Sequence, residues 1–395
     1  MICIMKKKLL YVILYISLLI NLVFFLEEGY HIYNIKRTVN VDTLTYNVLP
    51  SLKLFQKKLL EGGVFVLDNR IDRYVPTQYN PITARLMDLL GKKRCWDVKT
   101  QYEWSEAGYM MQAMFKTAEY HNDTCLINII KKAFDKHCLN NEMSRVDQSV
   151  YATMAIYLYQ RYNDIKYKQI ADNAYNWLEA HNTEKFGILF VQDDTLHNHV
   201  DAVGVYNPFL VEYSKAFNKS EAYTLAVSCF EKFCTFGVEK ELGRPVQSFK
   251  TTFPYEKGRP NWGRGFSWFS LGFGSIEKDS LSQDTRELVD KFIRYITFIY
   301  QRDGRFTQYV NSSKGIIDLS ATLPLVYFLY SNHYIDLSEK QILEYSKYMR
   351  DNIMCFSSGI PFGWGTENNT SSQRLSQAFM LMIILEYEKR NVIHQ

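Results

Sequence analysis

Asp201, Asp147 and Arg264 are the residues whose types and settings could do chemistry. Asp201 lies in His197-Asn-His199-Val-Asp201-Ala-Val-Gly-Val-Tyr-Asn-Pro208-Phe209-Leu210, and Arg264 in Trp262-Gly-Arg264-Gly-Phe-Ser-Trp268. Each segment puts a charge at the front of an aromatic-rich helical stretch. A carboxylate can exchange protons, a guanidinium can take a carboxylate in a bidentate pair, and the faces of Trp262 and Trp268 can meet a sugar ring. Gly263 and Gly265 permit a ligand or backbone to come close to Arg264. Bland readings compete. Asp is a preferred helix N-cap, and Asp318 in Asp318-Leu-Ser-Ala-Thr holds the same point of its own unit. Arg264 could pair with one of these Asp residues while both Trp serve helix packing. The residues alone leave these alternatives open. His197, His199 and Asp201 could suggest a metal, but no further ligand cluster accompanies them. His199 therefore reads as a polar wall of a cleft, and no metal or cofactor is expected. There is no nucleophile elbow, zincin helix, phosphate loop or dinucleotide fingerprint.

The elements that must position these residues are helical and periodic. Helical patterning covers 43–61, 80–90, 104–121, 125–138, 147–162, 166–181, 202–217, 220–236, 264–277, 283–301, 318–331, 338–355 and 373–390. Asp147, Asp201, Arg264, Asp318 and Arg374 mark helix fronts 54 to 63 residues apart, and Trp104-Ser-Glu106 opens an earlier unit. Gly187, Gly237, Gly304 and Gly359 recur 36 to 41 residues after their marks, each beside an apolar or aromatic piece. A period of this length means a repeat architecture. The spacing predicts an all-α fold of six helical hairpins. The last hairpin lacks its second helix, which an N-terminal helix could supply, so a closed (α/α)6 toroid is expected over an open solenoid. In such a ring the inner helix fronts share one face, and the marks converge on one cleft.

Composition narrows the partners. The formal charge is only +4, and no basic run follows Lys6-Lys7-Lys8, so nucleic acid is not expected. Those lysines precede Leu9–Leu26, eighteen residues in which Ser17 and Asn21 are the clearly polar members. That length can just span a bilayer, and the charge order predicts a cytoplasmic N-terminus with the bulk of the chain outside. No small-residue cleavage site follows, so a signal-anchor is expected: tail 1–8, membrane helix 9–26, linker 27–42 and helical domain 43–395. None of the seven cysteines forms a Cys-x-x-Cys pair, and most read as core thiols.

From Asp147 to the C-terminus, and more weakly from Trp104, the chain resembles the unsaturated glucuronyl and rhamnogalacturonyl hydrolases, the six-hairpin glycosidases of families 88 and 105. The matching segments are Val200-Asp201 followed by Pro208-Phe209-Leu210, Trp262-Gly-Arg264-Gly followed by Trp268, and Asp318-Leu-Ser-Ala-Thr. The resemblance implies an (α/α)6 barrel without metal. It implies Asp201 as general acid/base and Asp147 as second cleft carboxylate. Arg264, Trp262 and Trp268 would hold the uronate and stack its ring, and Trp104 is a further substrate-binding candidate. It also implies an unusual reaction, in which protonation at C4 of a 4,5-unsaturated uronic acid and addition of water at C5 release the neighbouring sugar. The chain departs from the family at the substrate wall: His199 replaces a Trp, Val205 a Met, Gln247 a His, and Phe266-Ser267 an Asn-Gly. Three functions stay open. The first is a membrane-anchored hydrolase of uronic-acid glycans. The second is a two-carboxylate glycosidase or lyase on the same scaffold. The third is a non-catalytic glycan-binding or polysaccharide-assembly protein.

Overall fold

The computed structural model describes residues 11–19, 21–22, 48–68, 102, 104–139, 142–189, 197–252, 256–257, 261–312, 317–350, 352–355 and 374–392. The chain is mostly helical. Beyond the N-terminal stretch the helices are α1 (Leu52–Asp68), α2 (Ser105–Tyr120), α3 (Thr124–His137), α4 (Ser149–Tyr162), α5 (Ile165–Ala180), α6 (Val200–Phe217), α7 (Ser220–Gly237), α8 (Gly263–Gly274), α9 (Gln283–Asp303), α10 (Leu319–Ser331), α11 (Glu339–Glu344) and α12 (Arg374–Val392).

The even-numbered helices form the inner ring. In order α2, α4, α6, α8, α10 and α12 each pack on the next, and α12 packs back on α2, which closes the cycle. The odd-numbered helices lie outside them. α3, α5 and α7 pack on the inner helices they follow, while α9 meets α8 through Phe292 against Phe266 and Phe269. The helix α1 packs on α12, so the N-terminal helix completes the last hairpin. This arrangement is consistent with the expected (α/α)6 toroid.

Sequence explains the two rings. The inner helices are apolar almost all round: every residue from Leu319 to Val326 of α10 and from Gly263 to Ser270 of α8 is buried. The outer helices are one-sided. In α9 the buried Phe292, Ile293, Ile296 and Ile299 lie on one face and charges on the other. Each such side chain contributes about 1.5–3 kcal/mol by burial. Asp123 and Asp164 cap α3 and α5 through Leu126 N and Lys166 N. Asn163 and Asn218 end α4 and α6 in the left-handed region, which reverses the chain into the next outer helix.

Small hairpins fill the turns between units. β1 (Asn182–Thr183) pairs with β2 (Gly187–Ile188), with Gly187 at positive φ. The antiparallel sheet β3 (His197–His199), β4 (Ser248–Lys250) and β5 (Glu256–Lys257) sits before α6, with His199 opposite Ser248. Gly304 is the left-handed C-cap of α9, as its place in the repeat predicts, whereas Gly237 is the last residue of α7.

Two expected helices are corrected. The stretch read as 43–61 is helical at 52–68, residues 43–47 lying outside the described set. Pro50 disfavours helix at the residue before it, and the Ser51 hydroxyl takes the Leu54 N–H to begin α1. Gly62-Gly63 does not stop the helix, because both sit against close neighbours: a side chain there would strike Asn352 O and Met114 Sδ. The stretch read as 338–355 holds only the short α11 and a 3-10 turn, then the hairpin β6 (Met349–Arg350) and β7 (Ile353–Met354), turned by Asn352 at φ 66. The stretch 80–90 and Gly359 lie outside the described residues.

The expected membrane span 9–26 is described in part. Residues 11–19 and 21–22 are helical, with Tyr11, Tyr15 and Leu18 exposed. Among the described residues no helix is long and apolar enough to cross a membrane.

Candidate active site

Every inner helix brings a charged residue to the same end of the ring. Glu106 is the second residue of α2, Asp201 the second of α6 and Arg264 the second of α8. Asp147 lies in the 3-10 turn Val146–Gln148 before α4, Asp318 caps α10, and Arg374 opens α12. Helix N-termini favour anions, which suits the four acids. The two arginines run against the helix dipole and need carboxylates beside them.

Asp147 and Asp201 answer that need only in part, because the site buries them. Asp147 is 3% exposed, and burial, opposed by Arg145 and aided by Glu106, raises its carboxyl to about 6. Arg145 donates to Asp147 Oδ2 at 3.0 Å, and Ser105 adds a hydrogen bond. Asp201 keeps some contact with solvent, yet enough protein surrounds it for burial to push it up to about 7. The Asp147 charge adds to that rise, while Arg264 draws Asp201 back down. The structure therefore brings Asp147, Asp201 and Arg264 into one electrostatic cluster. Carboxylates coupled this way titrate as a pair, and one member can hold a proton near neutral pH while the other is ionised.

Arg264 is held from the front of the next inner helix, α10. Its Nε donates to Ser320 Oγ at 2.9 Å, and Asp318 takes both the hydroxyl and the backbone N–H of Ser320. Thr322 in the same segment ties to Phe306 O at 2.8 Å. So in Asp318-Leu-Ser-Ala-Thr the Asp is a cap, the Ser carries the guanidinium, and the Thr anchors the turn after α9. The glycines around Arg264 are steric necessities. A Cβ at Gly263 would lie 2.4 Å from Thr307 O, and one at Gly265 2.8 Å from the Trp262 ring. At Gly204, a Cβ would lie 2.5 Å from Trp268 O, so α6 and α8 come close enough to set Asp201 near Arg264.

The other expected site residues distribute unevenly. His199 and Gln247 are both buried, at 8% and 2% exposure, and adjoin at the front of α6, where Val200 N donates to Gln247 O at 3.0 Å. Trp262 is the N-cap of α8. Trp262 and Trp268 are each 3% exposed, whereas Trp104 is 47% exposed. Trp268 packs on Tyr109 with centroids 5.9 Å apart, and its indole N–H finds no acceptor among the described residues. Trp104 offers the open aromatic face, with the Arg145 guanidinium 4.2 Å from its ring centroid. Sequence reasoning did not single out Arg145 or Glu106. The signal for Glu106 was its place in the first unit's front; Arg145, just before Asp147, lies outside the repeat. Among the described residues no group of three His, Cys, Asp or Glu could hold a metal ion. Cys138, Cys229, Cys234 and Cys355 are buried.

The arrangement can protonate and deprotonate a bound group beside a fixed guanidinium. The profile of the family described as Glycosyl Hydrolase Family 88 matches residues 71–390. No curated protein matches the chain. Among solved structures, a possible member of glycoside hydrolase family 105 from Klebsiella pneumoniae superposes with TM-score 0.68 at 15% identity, covering 88% of this chain and 97% of that one. An unsaturated glucuronyl hydrolase specific for heparin gives 0.63 at 13%, covering 86% and 98%. An unsaturated glucuronyl hydrolase from Bacillus sp. GL1, responsible for glycosaminoglycan degradation, gives 0.59 at 13%, covering 85% and 97%. At these identities the likeness is one of fold.

Proposed function

This chain belongs to Glycosyl Hydrolase Family 88 and is a glycoside hydrolase, and from that premise we propose that it removes a 4,5-unsaturated uronic acid from the end of a glycan, with Asp201 as the acid. The observation that carries this reading is the coupled pair: Asp201 raised to about 7 and Asp147 to about 6, with Arg264 beside Asp201. At neutral pH the pair holds a proton on the side of Asp201, where a general acid needs it.

The double bond of such a substrate is a vinyl ether. Asp201 gives its proton to C4, and the positive charge that develops is shared between C5 and the ring oxygen. Water adds at C5 and returns a proton to Asp201. The resulting hemiketal opens and releases the neighbouring sugar. One acid/base suffices, so the second carboxylate need not be a nucleophile. Asp147 stays ionised, which keeps the Asp201 proton in place and stabilises the developing cation. Arg264, fixed by Ser320 and Asp318, takes the uronate carboxylate. Trp104 supplies the stacking face, and His199 and Gln247 form the polar wall. The neighbours named for unsaturated glucuronyl hydrolysis support the substrate class.

The N-terminal segment serves as a membrane anchor in this reading. Its described apolar side chains, among them Tyr11, Tyr15 and Leu18, are exposed, Asn21 Nδ2 donates to Ser17 O at 2.8 Å, and Lys6-Lys7-Lys8 precede it in sequence. The hydrolase domain would then work outside the cytoplasm on surface or nascent polysaccharide. Alkaline carbonate extraction of membranes tests this; release of the chain into the soluble fraction would refute it.

The experiment for the activity follows the ultraviolet absorbance of the double bond in a panel of unsaturated uronyl disaccharides. Full-length chain should abolish the absorbance, and Asp201→Asn should not. A folded chain that consumes none of the panel, or an equally active Asp201→Asn, would refute the reading.

A further inference from the structure

Asp147 carries its charge where charge is disfavoured. It is 3% exposed and lies near Glu106 of α2 and Asp201 of α6. Ser105 of α2 hydrogen-bonds to it, and Arg145 meets it from its own turn at 3.0 Å. Arg145 is placed by two contacts outside that pair. Its backbone N–H donates to Gln148 Oε1 at 3.0 Å, and the same oxygen takes the Ser144 N–H at 2.6 Å. Its guanidinium lies over the Trp104 ring, 4.2 Å from the centroid. Trp104 is in turn fixed through its carbonyl, which accepts from the Tyr151 hydroxyl at 2.6 Å. A continuous path thus runs from an exposed indole at the rim, through a guanidinium, to a buried carboxylate.

We infer that Arg145 is a positioning residue that links sugar contact at Trp104 to the orientation and ionisation of Asp147. The inference rests on the reading of Asp147 as the ionised member of the pair. A cation over an indole is attracted to the ring, and the attraction grows as water is removed. A sugar covering the outer face of Trp104 dries that contact, which holds Arg145 against the ring and its N–H groups toward Asp147. The alternative, that Arg145 merely braces the 3-10 turn, predicts loss of stability without a change in titration.

The test uses the full-length chain with Arg145→Gln, Arg145→Lys, Trp104→Leu and Trp104→Phe. Two readouts are taken: kcat/KM against pH on an unsaturated uronyl disaccharide, and the carboxyl carbon-13 titration of Asp147, assigned with Asp147→Asn. Arg145→Gln should move both the acid limb and the Asp147 midpoint upward by about one pH unit. Arg145→Lys should recover most of that shift. Trp104→Leu should shift the limb in the same direction by less and raise KM several-fold, with Trp104→Phe showing smaller changes of both than Trp104→Leu. An Asp147 midpoint unmoved in Arg145→Gln, or activity reduced equally at every pH, would overturn the inference. The titration needs no substrate, so a chain inactive on every unsaturated disaccharide refutes the substrate reading, while a moved midpoint still upholds the link from Arg145 to Asp147.

Discussion

The two ends of the inner ring hold buried ionisable groups in opposite ways. At the front, Asp147 and Asp201 sit in surroundings that disfavour their charge, Glu106 adding to the rise of Asp147 and Asp147 to that of Asp201. At the back, Lys116 lies late in α2 among Tyr157 of α4, Glu212 of α6 and Tyr327 of α10. Burial alone would push Lys116 down, but those neighbours hold its ammonium above the ordinary value, with Nζ 5.1 Å from the Tyr157 ring centroid. The back end neutralises what it buries. The front end keeps a mismatch that packing could have removed, which is the pattern of a site tuned for proton transfer rather than for stability.

The largest effect should come from breaking the front. Asp201→Asn should lower kcat about 10²- to 10⁴-fold with little change in KM or melting temperature; a drop under about tenfold would erase the distinction between the ends. The back should respond in the reverse sense. Lys116→Met should cost about 1–3 kcal/mol in a denaturant titration, through the carboxylate and hydroxyls left without it, while kcat/KM stays as in wild type. A large loss of activity without loss of stability would place Lys116 in the mechanism. Ser320→Ala removes the Arg264 Nε bond and should raise KM several-fold at nearly constant kcat, the scale of one hydrogen bond of about 0.5–1.5 kcal/mol.

The comparison also predicts an effect on stability against pH. Folded-state values of about 6 for Asp147 and about 7 for Asp201 stand above the ordinary 3.8. The folded chain therefore keeps protons that the unfolded chain has released. This stabilisation is complete below about pH 4 and is lost as pH rises through the two folded-state values. Between about pH 5 and 8 the wild type should lose about 1–3 kcal/mol more than an Asp147→Asn/Asp201→Asn variant, allowing for the partial exposure of Asp201. Arginines left unpaired in the variant add a nearly constant cost and drop out of the slope. Parallel curves would mean that the carboxylates are not desolvated.

Most of the ring was legible because its causes are local and repeated. Inner helices apolar all round, one-sided outer helices, Asp caps and reversing Asn residues recur along the chain, and the marks at 147, 201, 264, 318 and 374, spaced 54 to 63 residues apart, do open successive inner helices. The closing helix was inferred from a missing partner, and α1 fills that place against α12. What escaped depends on tertiary contact. Gly62-Gly63 reads as a stop until Asn352 and Met114 are seen to occupy the space a side chain would need. The hairpin at β6 and β7 hid in a helical pattern because Ile353 and Met354 are apolar in either state. In the site, Asp147, Asp201 and Arg264 follow from the repeat. Arg145 does not, since its role comes from an indole that folding brings to it from 41 residues away in sequence. Burial of Trp262 and Trp268 was equally unreadable, because either helix face could have held them.

The most direct test of the central claim is to run the reaction in deuterium oxide and locate the label in the released uronate. If Asp201 delivers a proton to C4, wild-type chain should place one deuterium at C4, on one face, and Asp201→Asn should form no labelled product at a comparable rate. A product that keeps its double bond, or carries no deuterium at C4, would contradict the account.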